Sequence, residues 1–253
     1  MFEITVDLVA LLMLAAFIAG VVDAIAGGGG LITLPALLLA GAPPVDALAT
    51  NKLQGTFGAA TATVAYARAG QVRLREQAGM ALIAGLFGGA GALGAHLIPA
   101  DALRLIMPVI LIAVALFFAL KPGLDDTDRV RRIGAGVFAA TLVPLIAAYD
   151  GFFGPGAGAF YMLGFVMLAG YGVLKATAHT KLLNFASNLG ALTVFAWSGS
   201  MWWAVGLAMG LSQVAGAVVG ARLAMRVGAR LIKPLLVATS SAMALRLLWQ
   251  VWG

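Results

Sequence analysis

Apolar runs follow one another along this chain with no extended polar segment between them, at residues 8–22, 31–41, 46–67, 77–97, 103–120, 133–148, 158–170, 173–197, 202–223 and 233–252. A soluble globule needs a polar coat, and here 62% of 253 residues are hydrophobic against 10% charged, with a mean hydropathy of +1.01. The runs are therefore expected to be helices in a bilayer, and the expected fold class is an all-α integral membrane protein. No stretch is left over for a separate soluble domain, so residues 1–253 are expected to form a single membrane domain.

The net charge of +6 does not point to nucleic acid, because the basic residues stand singly in short loops rather than in a stripe beside aromatic platforms. Cysteine is absent, which removes disulfides, thiol catalysis and thiolate metal sites. Glu3 and Asp7 open the chain without a Lys or Arg, so the first run lacks the basic flank of a cleavable signal peptide and is expected to be retained.

The first two runs are short. By helical rise they extend about 22 Å and about 16 Å, against roughly 30 Å of hydrocarbon. Between them lies Asp23–Gly30, which ends in four glycines. This predicts a re-entrant or broken helix hairpin with its tip inside the membrane, where irregular backbone survives only if protein or trapped water satisfies it. The second half repeats the plan: Asp150–Gly158 stands where Asp23–Gly30 stood, Ala178–Leu182 echoes Ala49–Leu53, Gly199 follows Lys181 as Gly70 follows Lys52, and Gly228–Pro234 echoes Ala102–Pro108. The first repeat covers residues 1–120 and the second 133–253, joined by a linker at 121–132.

Cytoplasmic loops collect Lys and Arg. The loop with Arg68, Arg73 and Arg75 corresponds to Trp197–Trp203, which has no basic residue, whereas the loop with Arg104 corresponds to one with Arg222, Arg226, Arg230 and Lys233. The bias flips, so the two repeats are expected to be inverted, each a hairpin followed by three transmembrane helices. The linker, with Lys121, Arg129, Arg131 and Arg132, then lies in the cytoplasm and both termini lie outside it.

Inverted repeats with discontinuous helices characterise secondary transporters, whose substrates meet half-helix N-termini near the midplane. Gly27, Gly28, Gly29 and Gly30 open one half-helix, and Gly154, Gly156 and Gly158 open the other. Free N–H groups and the positive dipole end suit an anion. Lys52 and Lys181 lie about 10 Å inside their spans by helical rise, where each intramembrane charge costs roughly 2.5–3.5 kcal/mol without a partner. Their partners are Asp23 and Asp150 if the pairs are structural, each within its own repeat, or the transported anion if they are functional. Asn51 and Gln54 stand beside the first lysine. Thr180, Asn184 and Asn188 accompany the second, and Lys181, Asn184 and Asn188 share one helix face. Asp23, Asp150 and His179 are candidate proton carriers. No HExxH, Walker lysine loop or metal-spaced His pair occurs, so no catalytic residue, metal or cofactor is expected, and the chain is not expected to be an enzyme.

Taken together, "VVDAIAGGGGLITLPALLLAGAPPVDALATNKLQ" and "YDGFFGPGAGAFYMLGFVMLAGYGVLKATAHTKLLNFASNLGAL" resemble the TauE/SafE family of sulfite and organosulfonate exporters. The resemblance extends over nearly the whole chain. Its motif positions here are Asp23, Gly27–Gly30, Asn51, Lys52, Gln54, Asp150, Gly154, Pro155, Gly156, His179, Thr180, Lys181, Asn184 and Asn188, with Ala157 as a departure inside the second glycine cluster. It implies a multi-pass transporter in a bacterial inner membrane that exports a small sulfur-containing anion such as sulfite or sulfoacetate. The partners expected are that anion and membrane lipids, with a second copy of the chain as a candidate homodimer partner. The alternatives are a passive small-anion channel, an intramembrane enzyme and a membrane scaffold.

Overall fold

The computed structural model describes residues 5–99, 127–199 and 201–228, together with 101–103, 106, 109 and 113. Most of the 103–120 run, the whole 233–252 run, and Arg104, Lys121, Arg230, Lys233 and Arg246 lie outside the described residues, as do most of the matching segments Ala102–Pro108 and Gly228–Pro234. The described residues hold eight helices longer than one turn and no strand: α1 Val6–Ala26, α2 Gly30–Leu39, α3 Pro44–Arg68, α4 Leu74–His96, α5 Ala135–Phe152, α6 Ala157–Met167, α7 Val173–Ser198 and α8 Trp203–Val227.

Local chemistry sets the ends. Thr5 caps α1 by accepting a hydrogen bond from the Leu8 amide, and Pro44 occupies the first turn of α3, where a missing N–H costs nothing. The break after α1 falls later than the apolar run suggested. Asp23 sits in the last turn rather than in the break, and the helix stops only at Gly27, whose φ of 78° is left-handed and whose N–H donates to the Asp23 carbonyl. At 21 residues α1 is long enough by itself to cross the hydrocarbon, as are α4, α5 and α8. Among the described helices only α2, with 10 residues, and α6, with 11, fall short. Each hairpin thus joins one long arm to one short arm.

The helices pack in a pattern that the two halves share. α1 lies along α8 as α5 lies along α4, α3 packs on α8 as α7 packs on α4, and α3 crosses α7 at the centre. Small residues permit these approaches: a methyl group on Gly91 would strike the backbone of Ala148 in α5, and one on Gly220 would strike that of Val21 in α1. The central helix α3 buries 15 of its 25 residues, including Thr50, Asn51, Lys52 and Gln54. Wrapped by other helices, α3 and α7 carry polar groups that a lipid-facing helix could not.

Candidate functional site

Both short helices begin at the centre of the molecule, where their N-terminal ends meet. The Ala159 amide in the first turn of α6 donates to the Gly27 carbonyl at the end of α1, at 2.8 Å. A methyl group on Gly27 would come within 2.5–2.9 Å of Gly158 and Ala159 backbone atoms, so only glycine fits there. Asp23 turns back toward the start of α2, its Oδ1 accepting the Gly29 amide at 3.3 Å. Gly30 and Gly158 lie in the first turns, where amides have no intrahelical acceptor, and both line the cavity between the tips.

The lysines are paired across the molecule. Lys52 of α3 donates to Asp150 of α5 at 2.6 Å, and both side chains are almost wholly buried, at 0% and 2% exposure. Lys181 of α7 donates to Asp23 of α1 at 3.2 Å and also to its backbone carbonyl. Each pair joins one half of the chain to the other. The expectation of intramembrane Lys–Asp pairing therefore holds, while the expectation that the pairs lie within each repeat is corrected: α3 and α7 cross, and each delivers its lysine to the opposite hairpin. Asp150 has two further donors, Ser187 Oγ and, at 3.2 Å, Asn188 Nδ2. The left-handed Gly154 gives the Lys52 ammonium its room, since a methyl group there would lie 2.6 Å from Nζ.

These groups surround a cavity that offers about 30 Å³ to the centres of water-sized molecules. Of the residues singled out from sequence, Asp23, Gly27, Gly29, Gly30, Asn51, Gln54, Asp150, Gly154, Gly156, Gly158, Asn184 and Asn188 line it. Lys52 and Lys181 do not. Each is paired with a carboxylate that does. Gly28 serves the turn, its carbonyl accepting the Leu31 amide, and Thr180 is buried away from the cavity. His179 lies elsewhere: its Nδ1 is 3.1 Å from Gln77 Oε1, Gln77 Nε2 donates to the His179 carbonyl, and the ring packs on Phe165 and Tyr171. That arrangement pins α7 to α4.

Two polar residues of the centre did not emerge from sequence. Thr33 of α2 donates to Asn51 Oδ1 at 2.6 Å and accepts from Gln54 Nε2 at 2.9 Å, which fixes both amides of α3. Gln213 of α8 lines the cavity opposite. Thr33 showed only as a lone polar residue inside an apolar run, and Gln213 only as half of a Ser212–Gln213 pair inside another.

The model of the Sulfite exporter TauE/SafE family matches residues 12–247. The chain belongs to the TauE/SafE family. Among its relatives, "Probable membrane transporter protein ORF9" of a Sinorhizobium species is 58% identical over 97% of this chain and 94% of its own length. "Probable membrane transporter protein YfcA" of Escherichia coli is 44% identical over 100% of this chain and 94% of its own length. A "Probable membrane transporter protein" of Haemophilus influenzae is 39% identical over 99% of this chain and 98% of its own. No solved structure matches. With four apolar helices of spanning length among its described residues, this TauE/SafE protein is a multi-pass membrane transporter.

Proposed function

We propose that the chain carries a small sulfur-containing anion, sulfite or an organosulfonate such as sulfoacetate, outward across a bacterial inner membrane, and that one proton enters the site with each unit of negative charge. The observation that carries the reading is the crossed quartet. Two lysines and two aspartates, buried at the meeting of two helix N-termini, sum to zero charge. A monoanion added to a neutral, buried set leaves an uncompensated charge, which is costly. A proton on Asp150 or Asp23 restores neutrality and releases Lys52 or Lys181 from its ion pair, so that the ammonium turns to the anion while free amides of α2 and α6 bind its oxygens. His179, engaged with Gln77 outside the cavity, has no part in this step.

The shared packing of the two halves supports alternating access, in which inverted repeats exchange roles about this centre with both termini outside the cytoplasm. The test is flux in proteoliposomes loaded with sulfite or sulfoacetate and a pH-sensitive dye. Saturable efflux with one proton per monoanion, insensitive to membrane potential, is the expected result. A folded protein that moves no sulfur anion refutes the transport assignment, and potential-driven flux without protons refutes the carboxylate step.

A further inference from the structure

The polar lining of the cavity is not symmetric, and Gln213 is where it departs furthest from the repeat. The spacing that carries Lys52 to Lys181 also carries Ala84 to Gln213 and Gly58 to Ser187. One half therefore places a methyl group where the other places an amide. Room for that amide is made on both sides. A methyl group on Gly58 of α3 would come within 2.6–2.8 Å of Gln213 Nε2, Cγ and Cδ, and one on Gly20 of α1 would come within 3.0 Å of Cγ. Held between two glycines, the side chain lines the cavity with 2% exposure, and its Oε1 is buried without a hydrogen-bond partner. An amide left this way opposes folding, and buried polar groups in proteins nearly always find a partner. A second acceptor without a partner, Gln54 Oε1, belongs to another residue lining the same cavity.

We infer that Gln213 is a substrate-contacting residue that selects anions bearing a hydrogen-bond donor beside their charged oxygens. This rests on the transport reading above. The ligand completes the unpartnered oxygen: helix-start amides take the charged oxygens, and the unfilled oxygens of Gln213 and Gln54 take an O–H or N–H. The class that fits is a singly protonated oxyanion such as hydrogensulfite, or a sulfonate with a hydroxyl or amino group. Sulfate, plain alkanesulfonates and fully ionised sulfoacetate supply acceptors only and leave both glutamine oxygens unsatisfied, so among the substrates proposed above hydrogensulfite is favoured over sulfoacetate.

The experiment is thermal stabilisation of the purified full chain by hydrogensulfite, isethionate, ethanesulfonate and sulfate, in the wild type and in Gln213→Met and Gln213→Asn. The wild type is expected to bind hydrogensulfite or isethionate roughly tenfold or more tightly than ethanesulfonate or sulfate. Gln213→Met, which replaces a side chain whose buried oxygen has no partner with an apolar one of similar length, is expected to melt no lower than wild type without ligand and to lose that preference. Gln213→Asn keeps it in part. A Gln213→Met protein that melts lower while keeping wild-type affinities shows a structural amide and overturns the inference, as does equal wild-type affinity for isethionate and ethanesulfonate. A folded wild type that responds to none of the four, and moves none in liposomes, overturns the transport reading and this inference with it.

Discussion

Crossed pairing makes a sharp forecast for double variants. Replacing Lys52 with Met strands the Asp150 carboxylate, 2% exposed, with only Ser187 and Asn188 as donors. Removing one partner of a buried pair costs about 3–5 kcal/mol. For a chain of this length that corresponds to a fall in Tm of roughly 6–20 °C. Asp150→Asn strands the Lys52 ammonium and is expected to cost a similar amount. The double variant Lys52→Met/Asp150→Asn leaves no unpaired charge, so it is expected to melt no lower than either single variant, with a coupling of about 3 kcal/mol. Lys52→Met/Asp23→Asn instead breaks both pairs at once. Its losses add to about 6–10 kcal/mol, comparable with the whole stability of a typical domain, and it is expected to fail to fold in detergent. The assay is thermal unfolding of the purified variants. Rescue of Lys52→Met by Asp23→Asn and not by Asp150→Asn would refute the crossed arrangement and return the pairs to their own repeats.

Three further outcomes follow from single contacts. Gly27→Ala places a methyl group into the backbone of Gly158 and Ala159, and Gly70→Ala places one in open space at a similar positive φ, so Gly70→Ala is expected to lose only the strain of about 1–3 kcal/mol while Gly27→Ala loses more and also loses transport, read by Tm and by flux. His179→Gln removes the ring from its place against Phe165 and Tyr171 and is expected to lower Tm while leaving proton-to-anion stoichiometry unchanged; loss of proton movement in that variant would restore His179 as a carrier. In the loop before α5, the Gly172 amide, followed by the Lys175 ammonium, holds the Asp128 carboxyl below the usual carboxylate range. That stabilisation is full above about pH 3.9 and fades as pH falls through the lowered folded value. With both ion-pair side chains about half exposed, screening limits it to about 0.2–1 kcal/mol, so Asp128→Asn is expected to melt slightly lower than wild type at pH 7 and equally at low pH.

The membrane setting, the helical class and the positions of most cavity residues were legible in the sequence because each depends on local quantities. Apolar run length dictates a bilayer-spanning helix, the Gly27–Gly30 and Gly154–Gly158 clusters mark where helices stop and restart, and a lysine deep in a span announces a buried partner wherever that partner stands. Three things were decided only by tertiary structure. Lys52 and Lys181 each faced two aspartates of identical chemistry, and the crossing of α3 with α7, a matter of packing between segments about a hundred residues apart, selected the distant one. His179 lies within two residues of Lys181 in a motif-like string, yet successive helical positions point about 100° apart, so the helix that carries Lys181 to Asp23 turns His179 toward α4 and Gln77. Thr33 looked like a lone polar residue in an apolar run, and Gln213 like half of a polar pair with Ser212. Only the close approach of α1, α3 and α8 through Gly20 and Gly58 showed that Gln213 holds an unpartnered buried oxygen beside a cavity. Sequence periodicity fixes which residues are interior, but not which interior residues meet, because that depends on how helices far apart in the chain cross.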